Sequence, residues 1–595
     1  MKTNDQWRSE VAASFARCHR RLPGSLRRRA AAALRAFRTS LARGGLVALF
    51  ACALTAAHAQ QDAGQILRQI QGAPTAPKLP EAEMNNQLPA FRPELSDVPE
   101  LKMDIRGFTL SGVPDDERAA ILDQLKRFIG EEKTFQDLLD AAATVKSHLN
   151  ARGYLLAQAY IPEQKLQGGV VEIVVLLGRL GRIELNHDEA TPVARSRIQA
   201  HLDRLQPGQT LRTADLERVL FLINDLHGVR ASSTIRPGLD PGTADLIVDV
   251  QPDPTLSGQV QVDNMGSRYT GTVRVSGNLV VGSPLGLGDS LSLRAMHGQD
   301  QGIRFGSLSY VVPLGSDGLR LGATVSRLKY TLLTKEGIPP GYGTALDALA
   351  FVLYPIARSR NFNLFVQVGY DYKEFEDNPD AAARIDRRSR STLLTLSGDL
   401  RDSLLGGGIN SFSLGYTYGT LENQNATVGT PVGHFRKLNP YYSRLHALGD
   451  SGFLVFLRYS GQFTRDRLDS SEKFSLGGPG GVRAFAVGEA PGDEAHLASL
   501  ELRYALPNWD GKIPGSLVGS VFLDWGRSTL DKNPALRVTD PENTRTLSGY
   551  GIGLNWATAK SWSAQGSIAW RDKGDLVNDK LDRRPRAYVQ ISRYF

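Results

Sequence analysis

Cysteine is almost absent from this sequence. Cys18 and Cys52 are the only two among 595 residues, and both lie within the first 59. Without that segment the chain has no thiol. A disulfide framework, a thiol nucleophile and a cysteine-based metal centre are then excluded. Histidine is sparse as well. Beyond residue 59, His148, His187, His201, His227, His297, His434, His446 and His496 show no metal-ligand spacing and accompany no nucleophile motif. The nearest thing to a catalytic cluster is Asp493, Glu494 and His496, in a stretch that reads as a solvated loop. No Walker motif occurs, and no later run approaches the ~20 apolar residues of a membrane-spanning helix. Nothing here supports an enzyme, and no cofactor or metal is expected.

A basic excess is also missing from most of the chain. Residues 1–59 carry eleven Lys/Arg against Asp5 and Glu10, a net charge of +9. The whole chain is +8, so residues 60–595 carry −1. The mature protein is therefore not expected to bind nucleic acid. After the arginines comes the apolar run GGLVALFACALTAAHAQ, ending in Ala57-His58-Ala59. That small-x-small pattern predicts a secretory signal peptide over residues 1–59, cut before Gln60.

What the chain does have is alternation. In NFNLFVQVGYDY, Phe362, Leu364, Val366, Val368, Tyr370 and Tyr372 share one face. SFSLGYTYGT gives Phe412, Leu414, Tyr416 and Tyr418; GFLVFLRYSG gives Phe453, Val455, Leu457 and Tyr459. SWSAQGSIAW gives Trp562, Ala564, Ile568 and Trp570. Polar residues and glycines fill the opposite faces, and aromatics gather at the stripe ends. This is the pattern of a transmembrane β-barrel with aromatic girdles. The alternative is a soluble β-sandwich, which also alternates. The export signal and the terminal stretch AYVQISRYF favour the barrel. Ala587, Val589 and Ile591 line its face, with Arg593 breaking the stripe near the interface, where arginine can snorkel. Residues 254–595 have room for about 16 antiparallel strands of ~9–11 residues each.

Ahead of the barrel, residues 60–72 read as a short amphipathic helix with Ile66, Leu67 and Ile70 on one face. Residues 73–100 hold Pro74, Pro77, Pro80, Pro89, Pro93 and Pro99 and predict an extended tether. Residues 101–178 and 179–253 are two similar units, each read as β-α-α-β-β. In the first, DIRGFTL is a strand and a helix begins near Asp115. A second helix starts after an N-cap at Thr134, with Leu138, Leu139, Ala142, Val145 and Leu149 on its apolar face. The strands LLAQAYI and VVEIVVLL follow. The second unit repeats the order with GRIEL, helices near Val193–Leu205 and from Thr213, and strands at Ala231–Ile235 and Ala244–Val250. Gly153 and Gly228 are 75 residues apart, as are Pro162 and Pro237, which marks an internal duplication. Such units end in strand edges able to accept a further strand.

Residues 476–495, LGGPGGVRAFAVGEAPGDEA, place one arginine on a glycine-rich support, without the lysine and Ser/Thr of a phosphate loop. This stretch, VFLDWG, the motif ARGYLLAQAYIPEQKLQGGVVEIVVLLGRL, and VDNMGSRYTGTVRV with PLGLGDSLSL occur in an order that resembles one family. It is the outer-membrane transporter of two-partner secretion, of the haemolysin and filamentous-haemagglutinin type (TpsB), within the POTRA-barrel superfamily. The resemblance covers essentially residues 60–595. It implies two periplasmic POTRA domains, a plug helix at residues 60–72 and a barrel in the outer membrane of a Gram-negative bacterium. It implies that a long extracellular loop folds back into the lumen, where Arg483 meets Asp524. Gly481, Val482 and Phe485 belong to the loop motif, and Phe522 and Gly526 to the strand motif. Ala484 stands where the family has glycine, which would be strained if that position needed φ above zero. The implied partners are a secreted TpsA-type exoprotein (an adhesin, haemolysin or contact-dependent toxin), outer-membrane lipid, and the barrel assembly machinery for insertion. A barrel-insertion factor of the same superfamily shares the Arg/Asp pair and is the nearest alternative. A diffusion porin is more distant, because it would not need the duplicated domains.

Overall fold

In the computed structural model the described residues are 62–71, 84–85, 102–166, 168–240, 242–333, 340–380, 383–426, 430–449, 451–506, 514–534, 542–558, 561–576 and 583–595. The expected signal peptide and most of the proline-rich tether lie outside them.

The first unit has β2 (Met103–Ile105), β3 (Gly107–Ser111), α2 (Asp115–Leu125), β4 (Gly130–Lys133), α3 (Phe135–Ala151), β5 (Gln158–Tyr160) and β6 (Val170–Leu176). DIRGFTL, read as one strand, is two. Its first part pairs with β4, and β3 runs parallel to β6. The strand β4, sequence GEEK, was not expected. Its residues have little strand propensity, and it exists through its pairing with β2. The helix start at Thr134 follows from a capping box. The Thr134 N–H donates to Asp137 at 2.8 Å, and the Asp137 N–H donates to the Thr134 hydroxyl at 3.3 Å. Leu138, Ala142, Val145 and Leu149 enter the core with Ile121, Leu125 and Ile173. Leu139 does not; it is exposed, one position off the stripe. LLAQAYI shrinks to the three residues of β5, because its first part folds into a turn that buries Leu156.

The second unit has β7 (Arg179–His187), α4 (Arg195–Leu202), α5 (Thr213–Asn224), β8 (Val229–Pro237) and β9 (Thr243–Pro252). Leu185, Ile198, Leu202, Leu216, Leu220 and Val248 form its core. Gly153 and Gly228 both adopt positive φ, 89° and 82°, at equivalent helix exits. One pairing was not foreseen. Within the tether, β1 (Met84–Asn85) adds a parallel strand to the edge of β8, so this sheet runs β1-β8-β9-β7.

Sixteen strands close the barrel in sequence order. They are β10 (Leu256–Asp263), β11 (Arg274–Gly282), β12 (Ser290–Gly298), β13 (Ile303–Leu314), β14 (Leu319–Thr331), β15 (Gly341–Arg358), β16 (Phe362–Pro379), β17 (Ile385–Asp402), β18 (Gly408–Asn423), β19 (Gly433–Ala447), β20 (Phe453–Gln462), β23 (Glu494–Leu506), β24 (Ser516–Thr529), β25 (Thr544–Ala557), β26 (Trp562–Lys573) and β27 (Arg586–Tyr594). The apolar stripes face outward; Val368, Tyr370, Leu414 and Tyr416 are exposed while Asn363, Asp371 and Thr417 are buried. Alternation alone fixes this, since a one-residue slip would turn lumenal carboxylates such as Asp347, Asp371 and Asp524 toward lipid. Arg593 faces outward over the Trp562 ring, 5.1 Å from its centroid, at the end nearest the periplasmic units.

The second unit is bolted to the periplasmic turns of the barrel. Arg358 is buried, donating to Asp225 at 2.8 Å and to Asn363 at 2.7 Å. Arg320 also reaches Asp225, at 3.0 Å, and Arg218 of α5 donates to the Pro355 carbonyl at 3.1 Å.

Candidate functional site

Between β20 and β23 the chain turns back into the lumen. A two-residue ladder, β21 (Phe474–Ser475) with β22 (Pro491–Gly492), holds the arms of this hairpin together. Its tip is tight. The Val482 N–H donates to the Leu476 carbonyl at 2.8 Å, and a Cβ on Gly481 would lie 1.9 Å from that same oxygen. Only glycine admits this closure. Val482 and Phe485 are fully buried, and the Phe485 carbonyl accepts from the Tyr588 hydroxyl at 2.9 Å.

Arg483 meets the wall at β23 and β24. Its Nε and Nη2 donate to the two Asp524 oxygens at 2.8 and 2.7 Å, a bidentate pair, and its backbone N–H donates to the same carboxylate at 3.1 Å. Nη1 reaches Glu501 at 2.7 Å and Nη2 reaches the Ser499 hydroxyl at 3.0 Å. The guanidinium stacks on Phe522, 3.3 Å from the ring centroid. Strand periodicity explains the spacing of VFLDWG. Phe522, Asp524 and Gly526 alternate onto the lumenal face. The first supplies a platform, the second the counter-ion, and the third room for Leu476, which would lie 3.0 Å from a Cβ at Gly526. Ala484 is not among the described residues with positive φ. Its methyl occupies space opened by Gly549 on β25, where an added Cβ would come within 2.6 Å of it. The wall thus makes room for alanine at the tip.

The second half of the site is α1 (Ala63–Gln71), inside the barrel against β14, β15 and β16. Ile66, Leu67 and Ile70 pack on Phe305, Leu328, Tyr330, Ala345 and Phe375. Asp62 caps the helix, accepting from the Gln65 N–H at 2.9 Å. Polar contacts then tie both helix ends down. The Ala63 N–H donates to Asp377 at 2.9 Å, Arg68 to Gln462 at 2.8 Å and Gln71 to Asp347 at 2.9 Å, while Arg294 donates to the Ile70 carbonyl at 3.2 Å.

Helix, wall and loop meet at Arg387 on β17. This buried guanidinium reaches Asp62 before the helix at 3.2 Å, Asp377 on β16 at 2.5 Å and Asp469 in the descending loop arm at 2.9 Å. Beside it, Glu472 of the loop pairs with Lys437 and lies 3.7 Å from Lys373. Gly64 packs so close to the loop that a Cβ there would lie 2.3 Å from the Ser471 Cβ.

Residues 242–556 match the family described as haemolysin secretion/activation protein ShlB/FhaC/HecB, and residues 103–178 match the POTRA domain of ShlB type. The chain belongs to this secretion family. It is an outer-membrane transporter that secretes a partner exoprotein by two-partner secretion, which sets aside the insertion-factor and porin alternatives. The heme/hemopexin transporter protein HuxB of Haemophilus influenzae is 29% identical over 525 residues, covering 86% of this chain and 91% of its own. The outer membrane transporter CdiB of Escherichia coli is 24% identical over 412 residues, 68% of each chain. The solved CdiB from Escherichia coli has the same fold, with a TM-score of 0.65 at 21% identity, covering 85% of this chain and 92% of that one.

Sequence reasoning reached Arg483 and Asp524 in this transporter. It missed Glu501 and Ser499, which complete the arginine's shell, and it missed Arg387, Asp469, Glu472 and Lys437. A signal existed. Charges of opposite sign lie on the face opposite the apolar stripes in DYKEFEDNP and RRSRS. Which strand faces which side chain depends on register and closure, which no single segment encodes. Asp493 and Glu494, set aside earlier as loop charges, pair with Lys473 and Lys532 and hold the hairpin neck. His496 stacks edge-on against Phe463.

Proposed function

We propose that the transporter is held closed by α1 and the loop hairpin together, and that an arriving unfolded partner releases them. In this division residues 1–59 are the signal peptide, 60–72 the plug, 73–100 the tether, 101–178 and 179–253 the docking units and 254–595 the conduit. Export proceeds without catalysis by this chain. The observation that carries the proposal is the single Arg387 guanidinium shared by Asp62, Asp377 and Asp469, which makes helix, wall and loop one latch. Arg483 keeps the loop tip on β24 through Asp524. A buried pair of this kind adds little net stability but fixes a geometry, since either charge alone is costly.

The secretion domain of the partner docks by strand addition, because main-chain hydrogen bonds recognise an extended segment of almost any sequence. The β8 edge already carries Met84–Asn85 of the tether, so an incoming strand competes with the tether there. Displacing that strand pulls on the same segment that ends in α1. Among cargo classes, the relative matched over most of its length is a heme/hemopexin transporter, which points to an exoprotein handling heme or hemopexin. The test is co-expression with a candidate TpsA-type exoprotein of the same organism. Release into the medium that depends on the transporter is the expected result. Retention in the periplasm beside a folded, heat-modifiable barrel would refute it.

A further inference from the structure

The outward face of the barrel carries a basic cluster that export does not use. Register places His297 of β12, Arg304 of β13 and Lys329 of β14 side by side, with Arg327 one pleat below Lys329. All four are exposed, and all lie near the strand ends away from the POTRA units. Below them Leu293, Leu308 and Val325 continue the apolar band, so the cluster sits where the hydrocarbon zone ends. Beside it the wall is hollowed. Gly277, Ala295 and Gly306 are outward neighbours across β11, β12 and β13, and a Cβ on Gly306 would meet nothing within 4 Å. The resulting open groove, about 710 Å³, runs from Val260 and Val275 to Arg327 and Lys329.

The charges are unbalanced. On β16 to β18 the rim arginines have carboxylates, Arg388 with Glu374 at 3.1 Å and Arg390 with Glu422 at 3.1 Å, and Arg384, just before β17, pairs with Glu376 at 3.2 Å. Among the described residues, no carboxylate pairs with Arg304, Arg327 or Lys329, and Arg304 has only the Gln301 side chain. Three unpaired cations above an apolar trough in the outer leaflet call for an amphiphile with phosphate at the head and acyl chains below. Guanidinium and ammonium groups suit phosphate oxygens, and a trough lined by Gly, Ala and Val suits a chain.

We propose that this groove binds the phosphorylated, acylated glucosamine lipid of the outer leaflet, lipid A. Its phosphates would sit on Arg304, Arg327 and Lys329, and one acyl chain would lie over Gly277, Ala295 and Gly306. The site would give the barrel a fixed lipid neighbour on the β11–β14 side.

The test uses the full-length protein in non-ionic detergent, titrated with defined lipid A, dephosphorylated lipid A, phosphatidylglycerol and inorganic phosphate, and read by native mass spectrometry. In the variant Arg304→Gln/Arg327→Gln/Lys329→Gln, lipid A affinity should fall at least about tenfold, in line with the contribution of each basic group near an anionic surface. Dephosphorylated lipid A and phosphatidylglycerol should bind the unmodified protein no better than lipid A binds the variant, and inorganic phosphate should not displace lipid A. Arg388→Gln/Arg390→Gln, where the charges are paired, should leave affinity unchanged. Full affinity in the triple variant, equal binding of dephosphorylated lipid A or of phosphatidylglycerol, or displacement by phosphate would each overturn the proposal. Heat-modifiability checks folding, and if the triple variant fails to fold, Arg327→Gln alone is read in the same way.

Discussion

The contact between Gly64 and Ser471 offers a direct handle on the latch. In Gly64→Ala the new methyl would lie 2.3 Å from the Ser471 Cβ and 2.8 Å from its Cα, so backbone must give way. Overpacking of this kind costs about 1–3 kcal/mol. Alanine also favours helix over glycine by up to about 1 kcal/mol, which offsets part of that cost only if α1 unwinds on leaving. A net penalty of about 1–2 kcal/mol on the closed state corresponds to a factor of roughly 5–30 in its equilibrium with the open state. In planar bilayers the open fraction of Gly64→Ala should therefore rise about that much over the unmodified protein. The companion variant Ser471→Gly removes the nearer of the two atoms struck, the Cβ, and leaves the Cα. It also loses the Ser471 hydroxyl's 2.7 Å hydrogen bond to Asp469, so the double variant is compared with Ser471→Gly rather than with the parent. On that background Gly64→Ala still meets the backbone Cα, so it should raise the open fraction, but by less than in the parent. An unchanged or lowered open fraction in the single variant, or a full increase on the Ser471→Gly background, would show that helix and loop do not constrain one another.

Other expectations concern the wall, the tether and the second unit. Arg483→Ala leaves Asp524 and Glu501 facing each other without the guanidinium between them, a loss of about 3–5 kcal/mol in the docked loop, so the open fraction in planar bilayers should rise while the barrel stays heat-modifiable; Arg483→Lys should restore closure little, because an ammonium cannot fork across Asp524. Asn85→Pro removes a backbone donor from the strand on β8, so a secretion-domain fragment should bind the full-length transporter more tightly, as calorimetry would show; equal affinity would mean that the tether does not compete. His201 is buried in α4, and burial holds its imidazole below the usual histidine range. Below the unfolded value of about 6.5 the unfolded chain then binds more protons than the folded one, so stability is present above that pH and lost as pH falls through it. The protection of residues 195–202 against hydrogen exchange, corrected for the intrinsic pH dependence of exchange, should fall between about pH 6.5 and 5, and His201→Gln should flatten the dependence.

Much of this fold could be read from the chain because lipid imposes a strict period. A strand that must face hydrocarbon on one side cannot hide its alternation, and Phe362 to Tyr372 shows it over six positions. Thr134 marked a helix start because its capping partner lies only three residues away. Elements made by distant partners were not legible. β4 exists because β2 is beside it. β1 lies in a proline-rich segment whose local signal is against any strand, and it forms because β8 offers an unpaired edge. The same division holds within the site. Arg483 stood out through its glycine setting, and Asp524 through its strand motif. Arg387 sits among RRSRS with nothing local to separate it from its neighbours, and only barrel closure sets it between three carboxylates.

The three carboxylates around Arg387 are not equivalent in what their loss would do. If α1 departs, Asp62 goes with it, and Arg387 keeps Asp377 and Asp469, so the loop arm remains seated and the cation is still answered. If the loop arm withdraws first, Asp469 and Ser471 leave together, and the helix loses the surface Gly64 rests on. The arrangement works like an escapement in a clock. One part can step out while the other holds the wheel, and the tooth it vacates stays shaped for its return.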